Sequence, residues 1–410
     1  MYWANFFHIY QPPNWSKKII RKVARESYRP MVDILSRNPD IKITLNICAS
    51  LTEQLHTLGL TDIIVGLGKL ARKKQIEFVG TAVYHPILPL IPTNEIIRQI
   101  KLNTEINKKY FGQVYNPQGF FPPEMSYGKK VAMAIEKLGY QWILTDEICY
   151  NGQLNTAKLN TAYQIKDTKV NIIFRNRYIS DYFSFHANPN KPEFFWQEIK
   201  EDGRHQPALI TAMDGENLGH HRLGWDVFWE NLVTDKKVET LTLSKLLKKY
   251  KKTKIISPRR GSWSSQPREI KAGIPYVLWD DPHNPIHQHQ WRLVRHISEL
   301  VEAHKQSDNY AQARMLLDKR LASDQFWWAS AKPWWSLTII KEKTKELEKI
   351  ANLINPQDEL TRQLTRHIIS EATQWQADGT FKTMADGYLQ TNEDKGGGVR
   401  FIGGKKITSK

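Results

Sequence analysis

Cysteine is nearly absent from this 410-residue chain: Cys48 and Cys149 are the only two, and neither has a metal-ligating neighbour at close spacing. A disulfide framework and a zinc–cysteine site are excluded as organising principles. Long apolar runs are lacking too. The longest, such as 87–91, fall far short of the roughly 20 residues a membrane-spanning helix needs. Residues 1–7 carry neither the basic n-region nor the cleavage site of a secretory signal. These absences predict a protein of a reducing compartment, cytoplasmic and without a membrane partner. Acidic residues are also short, with 42 Asp plus Glu against 59 Lys plus Arg and a formal net charge of +17.

What is present is core material. Hydrophobic residues make up 40% and aromatics 11%, too much for a disordered chain. At about 100–200 residues per domain the length implies two or three domains, unless an α/β barrel absorbs most of it. The positive charge is concentrated: between Lys236 and Arg260 ten Lys or Arg accompany a single acidic residue, Glu239. That stretch is a candidate phosphate-binding surface. Leu241, Leu243, Leu246 and Leu247 run through it, however, and would put Lys248, Lys249, Lys251 and Lys252 on the outer face of a short helix. With no nucleic-acid motif beside it, a solvated face is the expected reading, and no nucleic-acid partner is expected.

The first two-thirds of the chain alternates two kinds of pattern. Residues 3–7, 41–47, 76–83, 119–121, 142–144, 172–174 and 209–213 read as strands, with helices over 61–73, 95–110 and 129–138. Seven strands alternating with helices predict a parallel α/β architecture. Beyond about residue 290 only helical patterns remain, over 291–305, 310–321, 336–353 and 358–375. The expected organisation is an α/β domain over 1–289, a helical domain over 290–385 and a mobile basic tail over 386–410.

Chemically capable residues keep phase with the strands. His8 follows the first, His85 the third, Glu124 the fourth, and Asp214 and Glu216 the seventh. Ligands of parallel α/β folds bind at the carboxyl ends of the strands. Glu124 follows two aromatics and two prolines, a dry and rigid setting. It reads equally as a positioned nucleophile or base, or as a helix N-terminal carboxylate. Asp214, Glu216, Asn217, His220 and His221 fall within eight residues, which suits a metal site or a sugar site rich in fixed donors and acceptors. His283 and His287 are separated by Pro285, which argues against one helix presenting both, so a polar loop is expected there. Trp327, Trp328, Trp334 and Trp335, beside Asp324, read as core or as flat platforms for pyranose rings.

Taken in order, these segments resemble glycoside hydrolase family 57. The blocks are His8-x-Tyr10-Gln11-Pro12, Tyr84-His85-Pro86-Ile87-Leu88-Pro89, Phe121-x-Pro123-Glu124-Met125, Asp214-Gly215-Glu216 with Gly219-His220, and Asp324-x-x-Trp327. The resemblance implies a (β/α)7 barrel with a C-terminal helical domain completing the cleft, and retaining chemistry on α-1,4-glucans or maltooligosaccharides. It implies Glu124 as nucleophile and Asp214 as general acid/base. It also implies sugar-binding or supporting roles for His8, Gln11, His85, Glu216, His220, Asp324 and Trp327. The family holds α-amylases, 4-α-glucanotransferases, branching enzymes, amylopullulanases and α-galactosidases, which the five blocks do not separate.

The residues read alone agree. A retaining glycosidase needs two carboxyls about 5–5.5 Å apart, one ionised and one protonated. Glu216, two residues from Asp214, is expected to supply the like charge that holds a proton on Asp214. No metal or organic cofactor is needed. Two alternatives remain at this level. A metal-dependent polysaccharide deacetylase would use metal-bound water, though no adjacent Asp pair ends the first strand and no helical His-x-x-x-His occurs. A non-catalytic glycan-binding protein has only the 236–260 stretch in its favour.

Overall fold

The computed structural model describes residues 1–13, 15–204, 208–250, 253–390, 400–402 and 405–407. Its strands are β1 (Tyr2–Ile9), β2 (Ile43–Ile47), β3 (Ile76–Val79), β4 (Gly119–Phe120), β5 (Trp142–Asp146), β6 (Ala162–Ile165), β7 (Asn171–Arg175), β8 (Ala208–Asp214), β9 (Glu239–Thr240) and β10 (Thr253–Ile256). One sheet runs β3-β2-β1-β8, with β9 also on β1, and a second runs β10-β6-β7-β5-β4. Within these two sheets all pairs are parallel except β6 with β7, and the short strands Arg400–Ile402 and Lys405–Ile407 pair antiparallel with each other.

Both faces of β1 are buried, which is why it reads as a continuous apolar run rather than an alternating one. Trp3, Phe7 and Ile9 pack with Ile43, Leu45, Leu209 and Met213 against the helices Arg29–Arg37, Ala49–Thr57, Thr61–Arg72 and Trp225–Val233. The opposite face carries Ala4 and Phe6 with Val79, Ala208, Ile210 and Ala212. Trp142, Leu144 and Ile173 of the second sheet join the same cluster, as does Phe121. Each large side chain buried there contributes about 1.5–3 kcal/mol. Small residues on β1 and β8 make room for the rings, and Phe6 stacks on Phe121 with centroids 4.9 Å apart.

The seven strands expected from the sequence are all present, as β1–β5, β7 and β8, but no closed sheet joins them among the described residues. At one seam a single parallel bridge links Gly80 to Phe120. A Cβ on Gly80 would meet the Tyr140 hydroxyl at 2.4 Å, so the close approach depends on glycine. At the other seam Asn176 N–H donates to Ile210 O at 2.8 Å, and two side chains bond the backbone of Ala212. Ser180 Oγ accepts from Ala212 N–H at 3.1 Å and Arg175 Nη1 donates to Ala212 O at 3.0 Å. Side-chain bonding at that point replaces a ladder.

The basic stretch departs from expectation. Its helix spans only Leu243–Leu247, ending before Lys248, and the β-branched Thr253–Ile256 run forms β10 on the edge of the second sheet. Lys251 and Lys252 lie outside the described residues. Lys237 and Lys249 rest over the rings of Trp196 and Tyr2, at 3.9 and 4.2 Å from the centroids.

The chain divides into two compact units, 1–83 with 87–270, and 84–86 with 271–410. The second is built on the helices Pro285–Ala303, Tyr310–Arg320, Leu337–Ile354, Glu359–Asp378 and Thr380–Gln390. Its core includes Leu293, Ile297, Leu317, Ile340, Leu347 and Leu364. The first of these helices starts at Pro285, ahead of the expected 291. Proline suits a first turn, and the Asn284 side chain caps the helix by accepting from His287 N–H at 3.2 Å. Of the expected tail, 386–390 completes the last helix and most of the remainder lies outside the described residues. No helix among the described residues is long and apolar enough to cross a membrane.

Candidate active site

The chain leaves β4 through Phe121, Pro122 and Pro123 and enters a single tight turn, Pro123–Met125. Within it Glu124 has φ 59° and ψ 19°, and Met125 has φ 51°. An L-residue in that left-handed region costs about 1–2 kcal/mol, so the surroundings must hold it there. Ser126 does so by donating to Pro123 O from its N–H at 3.0 Å and its hydroxyl at 2.7 Å. Trp263 supplies the other restraint. Its backbone N–H donates to Glu124 O at 3.3 Å and its indole N–H to Glu124 Oε2 at 2.7 Å. The next helix begins only at Lys129, so Glu124 is not a helix N-terminal carboxylate.

Asp214 ends β8, where its register partner is His8 of β1. The His8 ring stacks on Phe121 at 4.7 Å and meets the edge of Trp263 at 6.4 Å. Contacts therefore run from Glu124 through Trp263 to His8, beside Asp214. Burial depresses the His8 pKa to about 4 in spite of its bond to Asn46, so the ring is neutral. The Asn46 amide N–H donates to Val79 O at 3.2 Å, which turns Oδ1 toward His8 Nδ1 at 2.6 Å. That fixes the hydrogen on Nδ1 and makes Nε2 an acceptor suited to a hydroxyl donor.

Glu216 lies deeper, 3% exposed. Its Oε1 accepts from the Tyr28 hydroxyl at 2.5 Å, Gln11 Nε2 at 3.2 Å and Tyr10 N–H at 3.2 Å. Burial, then the charge of Asp214, push its pKa up to about 8. Asp214 keeps some surface open to solvent, yet burial raises it to about 6 against the opposing pull of Arg175. Spacing alone predicts that Glu216 holds the proton on Asp214. The reverse is found: Glu216 is the more deeply buried of the two, so Asp214's charge holds the proton on Glu216 first. His220 Nδ1 lies 2.8 Å from Glu26 Oε2, and His221 Nδ1 lies 3.3 Å from Asn217 Oδ1.

Arg175, Trp263 and Tyr28 belong to this site and were not singled out from the sequence. Arg175 ends β7 as the register partner of Asp146. Its guanidinium bonds Asp146 Oδ2 at 2.7 Å and Asp181 Oδ1 at 3.1 Å, and lies 5.7 Å from the Trp263 ring centroid. Burial opposes ionisation of Asp146, but Arg177 and Arg175 outweigh it and hold that carboxyl below its ordinary value. Arg175 was detectable by phase, since it continues the Ile173 file of β7. Trp263 sits in the Gly261-Ser262-Trp263-Ser264-Ser265 loop, where no periodicity marks it.

The remaining candidates lie in the second unit. His85 has φ 59°, its Nδ1 is 3.1 Å from Ser323 Oγ, and its carbonyl accepts from Ser323 N–H at 3.1 Å. Asp324 follows directly and opens the short helix Asp324–Trp327. Trp327 is half-buried and stacks on Trp334 at 4.2 Å, with Trp328 edge-on at 5.1 Å. His287 lies inside a helix rather than in the expected loop. Its Nδ1 accepts from Asp281 N–H at 3.2 Å and its Nε2 donates to Phe326 O at 2.8 Å, a structural pairing. Among the described residues no three His, Cys, Asp or Glu side chains gather as a metal-holding group.

A sequence model described as glycosyl hydrolase family 57 matches residues 3–259, more than half of the chain. An alpha-amylase of Pyrococcus abyssi is 23% identical over 338 residues, which cover 77% of this chain and 50% of that enzyme. A 4-alpha-glucanotransferase of Thermococcus litoralis is 21% identical over 291 residues, 66% of this chain and 43% of that one. The chain thus spans about half the length of these two relatives. A branching enzyme of Pyrococcus horikoshii shares the fold, with a TM-score of 0.69 at 15% identity over 91% of this chain and 94% of that one. On the span of the sequence match, the chain belongs to glycosyl hydrolase family 57.

Proposed function

We propose that the chain is a retaining enzyme that cleaves α-1,4-glucans or maltooligosaccharides by double displacement, with Glu124 as nucleophile and Asp214 as general acid/base. In the first step the Glu124 carboxylate bonds to the anomeric carbon while the Asp214 proton passes to the departing glycosidic oxygen. In the second, an acceptor hydroxyl gives its proton to Asp214 and displaces Glu124. Water as acceptor makes the reaction hydrolysis, and a sugar hydroxyl makes it transfer. The observation that carries this reading is the His8 ring. It is the register partner of Asp214, yet it stacks on Phe121 and touches Trp263, the residue that holds Glu124.

Supporting features follow the same lines. The strand orders β3-β2-β1-β8 and β7-β5-β4, with bonds at both seams, favour reading the seven strands as a (β/α)7 barrel left partly open. Neutral His8 is suited to accept from a sugar hydroxyl, with Gln11, Glu216 and His220 alongside it. Sugar contacts for His85, Asp324 and Trp327 rest on the family motif. The alpha-amylase and 4-alpha-glucanotransferase relatives favour an α-glucan substrate.

The deciding experiment is product analysis on maltoheptaose, amylose and p-nitrophenyl α-glycosides. Shorter maltooligosaccharides or a disproportionation ladder are expected, and turnover should survive exhaustive chelation. A folded protein inert on all three would remove the assignment, and turnover lost on chelation would favour the metal-dependent alternative.

A further inference from the structure

Between the helices Lys17–Val23 and Arg29–Arg37 the chain makes a π-helical turn, Ala24–Tyr28. Such turns widen the helix by one residue and recur at functional sites. Here three successive residues of the turn hold the loop that follows Asp214. Glu26 Oε2 lies 2.8 Å from His220 Nδ1, the Ser27 hydroxyl donates to Gly215 O at 2.8 Å, and the Tyr28 hydroxyl donates to Glu216 Oε1 at 2.5 Å. The backbones fit as closely. Gly219 has φ 105°, and a Cβ there would lie 2.0 Å from Glu26 O.

Glu216 Oε1 also accepts from Gln11 Nε2 and Tyr10 N–H. Three donors on one oxygen stabilise the carboxylate and leave a bound proton only Oε2 to occupy. Tyr28 is buried, and its burial beside Glu216 holds the hydroxyl protonated well above the ordinary tyrosine range. It is a permanent donor.

We propose that Tyr28 is a positioning residue for the acid–base step: by donating to Glu216 Oε1 it favours the Glu216 carboxylate, and with it the form in which Asp214 carries the proton shared by the pair. The proposal rests on the reading of Asp214 as acid/base. Glu216 takes no part in either proton transfer; it sets where the proton rests between them. The groups that bear on this balance are Tyr28 and Glu26 on the turn, Tyr10 N–H and Gln11 after β1, and His8 beside Asp214. Arg175 at the end of β7, and His220 and His221 on the clamped loop, also bear on it. Burial and the charge of Asp214 favour the proton on Glu216, and the Tyr28 hydrogen bond opposes that placement.

Tyr28→Phe tests this through two opposed changes in the pH–rate profile of kcat/KM on maltooligosaccharide. The plateau should fall by about tenfold, the worth of a hydrogen bond to a charged group, because less Asp214 is protonated. The alkaline limb should meanwhile move to higher pH, because Glu216 binds the pair's proton more tightly. The loss should be smaller on p-nitrophenyl α-glycosides, whose leaving group needs little proton assistance. Gln11→Leu removes a weaker donor to the same oxygen and should give the same signs with smaller amplitude, which keeps the test open if Tyr28→Phe fails to fold. In the Glu216→Gln background, Tyr28→Phe should no longer move the limb. An alkaline limb unmoved in folded Tyr28→Phe and Gln11→Leu, or equal losses on both substrates, would overturn the proposal. The wild-type and Asp214→Asn profiles keep the two ideas apart: if Asp214→Asn retains full turnover, the acid/base assignment itself is lost.

Discussion

His8 and Asp214 are register partners at the carboxyl ends of β1 and β8. Side chains of directly paired residues in a parallel ladder leave the sheet on the same side, and the two-residue period puts His8 in file with Ala4 and Phe6, and Asp214 with Ala208, Ile210 and Ala212. The second sheet repeats the arrangement: Trp142 and Leu144 lead to Asp146, and Ile173 leads to Arg175. Four files that are apolar along the shared cluster thus end in a polar or charged residue on reaching the same end of the sheets. Burial of the lower part of each file fixes the height at which its last side chain emerges, so packing and chemistry are set by one periodicity.

Glu124 is held in a left-handed turn at this end, and its substitution gives the sharpest expectation. Glu124→Gln should reduce turnover at least about a thousandfold, since no bond to the anomeric carbon can form. Thermal unfolding should stay near wild type because the isosteric amide keeps the turn. Added azide should restore part of the turnover of an activated α-glycoside in Glu124→Ala, giving a glycosyl azide detectable by mass spectrometry. Near-wild-type rates in folded Glu124→Gln would remove Glu124 from the mechanism.

Trp263 holds the carboxylate from outside the strands. Trp263→Phe keeps an aromatic ring near His8 and Phe121 but deletes the indole donor to Glu124 Oε2. A hydrogen bond to a charged group is worth about 1.5–3 kcal/mol, so kcat should drop by about ten- to a hundredfold. KM should change little if the loss falls on the nucleophile rather than on substrate contact. Steady-state kinetics on one aryl glycoside separates the two, and a change confined to KM would recast Trp263 as a sugar platform.

Why Trp263 escaped the sequence while His8 did not is a matter of periodicity. Strands buried on both faces announce themselves as apolar runs, so the seven strands were legible, and with them His8 and Asp214 at the ends of two of them. Short half-polar strands were not: β9 has two residues, and β10 is an exposed edge whose Thr253 and Lys254 resemble surface. The seam between β7 and β8 was equally hidden. It depends on Ser180 and Arg175 taking up backbone bonds of Ala212, contacts 32 and 37 residues apart that no local pattern encodes. The direction of the Asp214–Glu216 coupling needed burial depth, and spacing alone does not supply that.

That coupling has a thermodynamic consequence. The folded-state pKa values of Asp214 and Glu216 are both raised, to about 6 and about 8. The folded chain therefore binds these protons more tightly than the unfolded chain does. The stability this confers is fully present below the unfolded carboxyl range, near pH 4, and is lost as pH rises through the two folded values. Glu216→Gln keeps an Oε1 acceptor for Tyr28 and removes the buried charge. It should be more stable than wild type at pH 8.5 by about 1–3 kcal/mol, with the advantage gone by pH 4. Unfolding measured at the two pH values decides the sign. A variant less stable than wild type at pH 8.5 would mean that the ionised carboxylate is well accommodated, with its hydrogen bonds outweighing its burial.

The final expectation joins the fold to the stereochemistry. Ninety positions of sequence separate Glu124 from Asp214, and the first ends a segment of the second sheet while the other ends a strand of the first. If the pair performs double displacement, a complex with a bound maltooligosaccharide should place their carboxyl oxygens about 5–5.5 Å apart, against about 6.5–9.5 Å for an inverting site that must house a water between acid and sugar. The first product released should then carry the α configuration, read by proton NMR before mutarotation scrambles it. The two measurements are independent, because one reports distance at rest and the other the number of displacements at carbon. A β-configured first product, or carboxylates on opposite sides of the shared cluster in the complex, would dismiss double displacement by these two residues. A short separation with an α product would leave the choice between hydrolysis and transfer to whichever acceptor reaches Asp214 first.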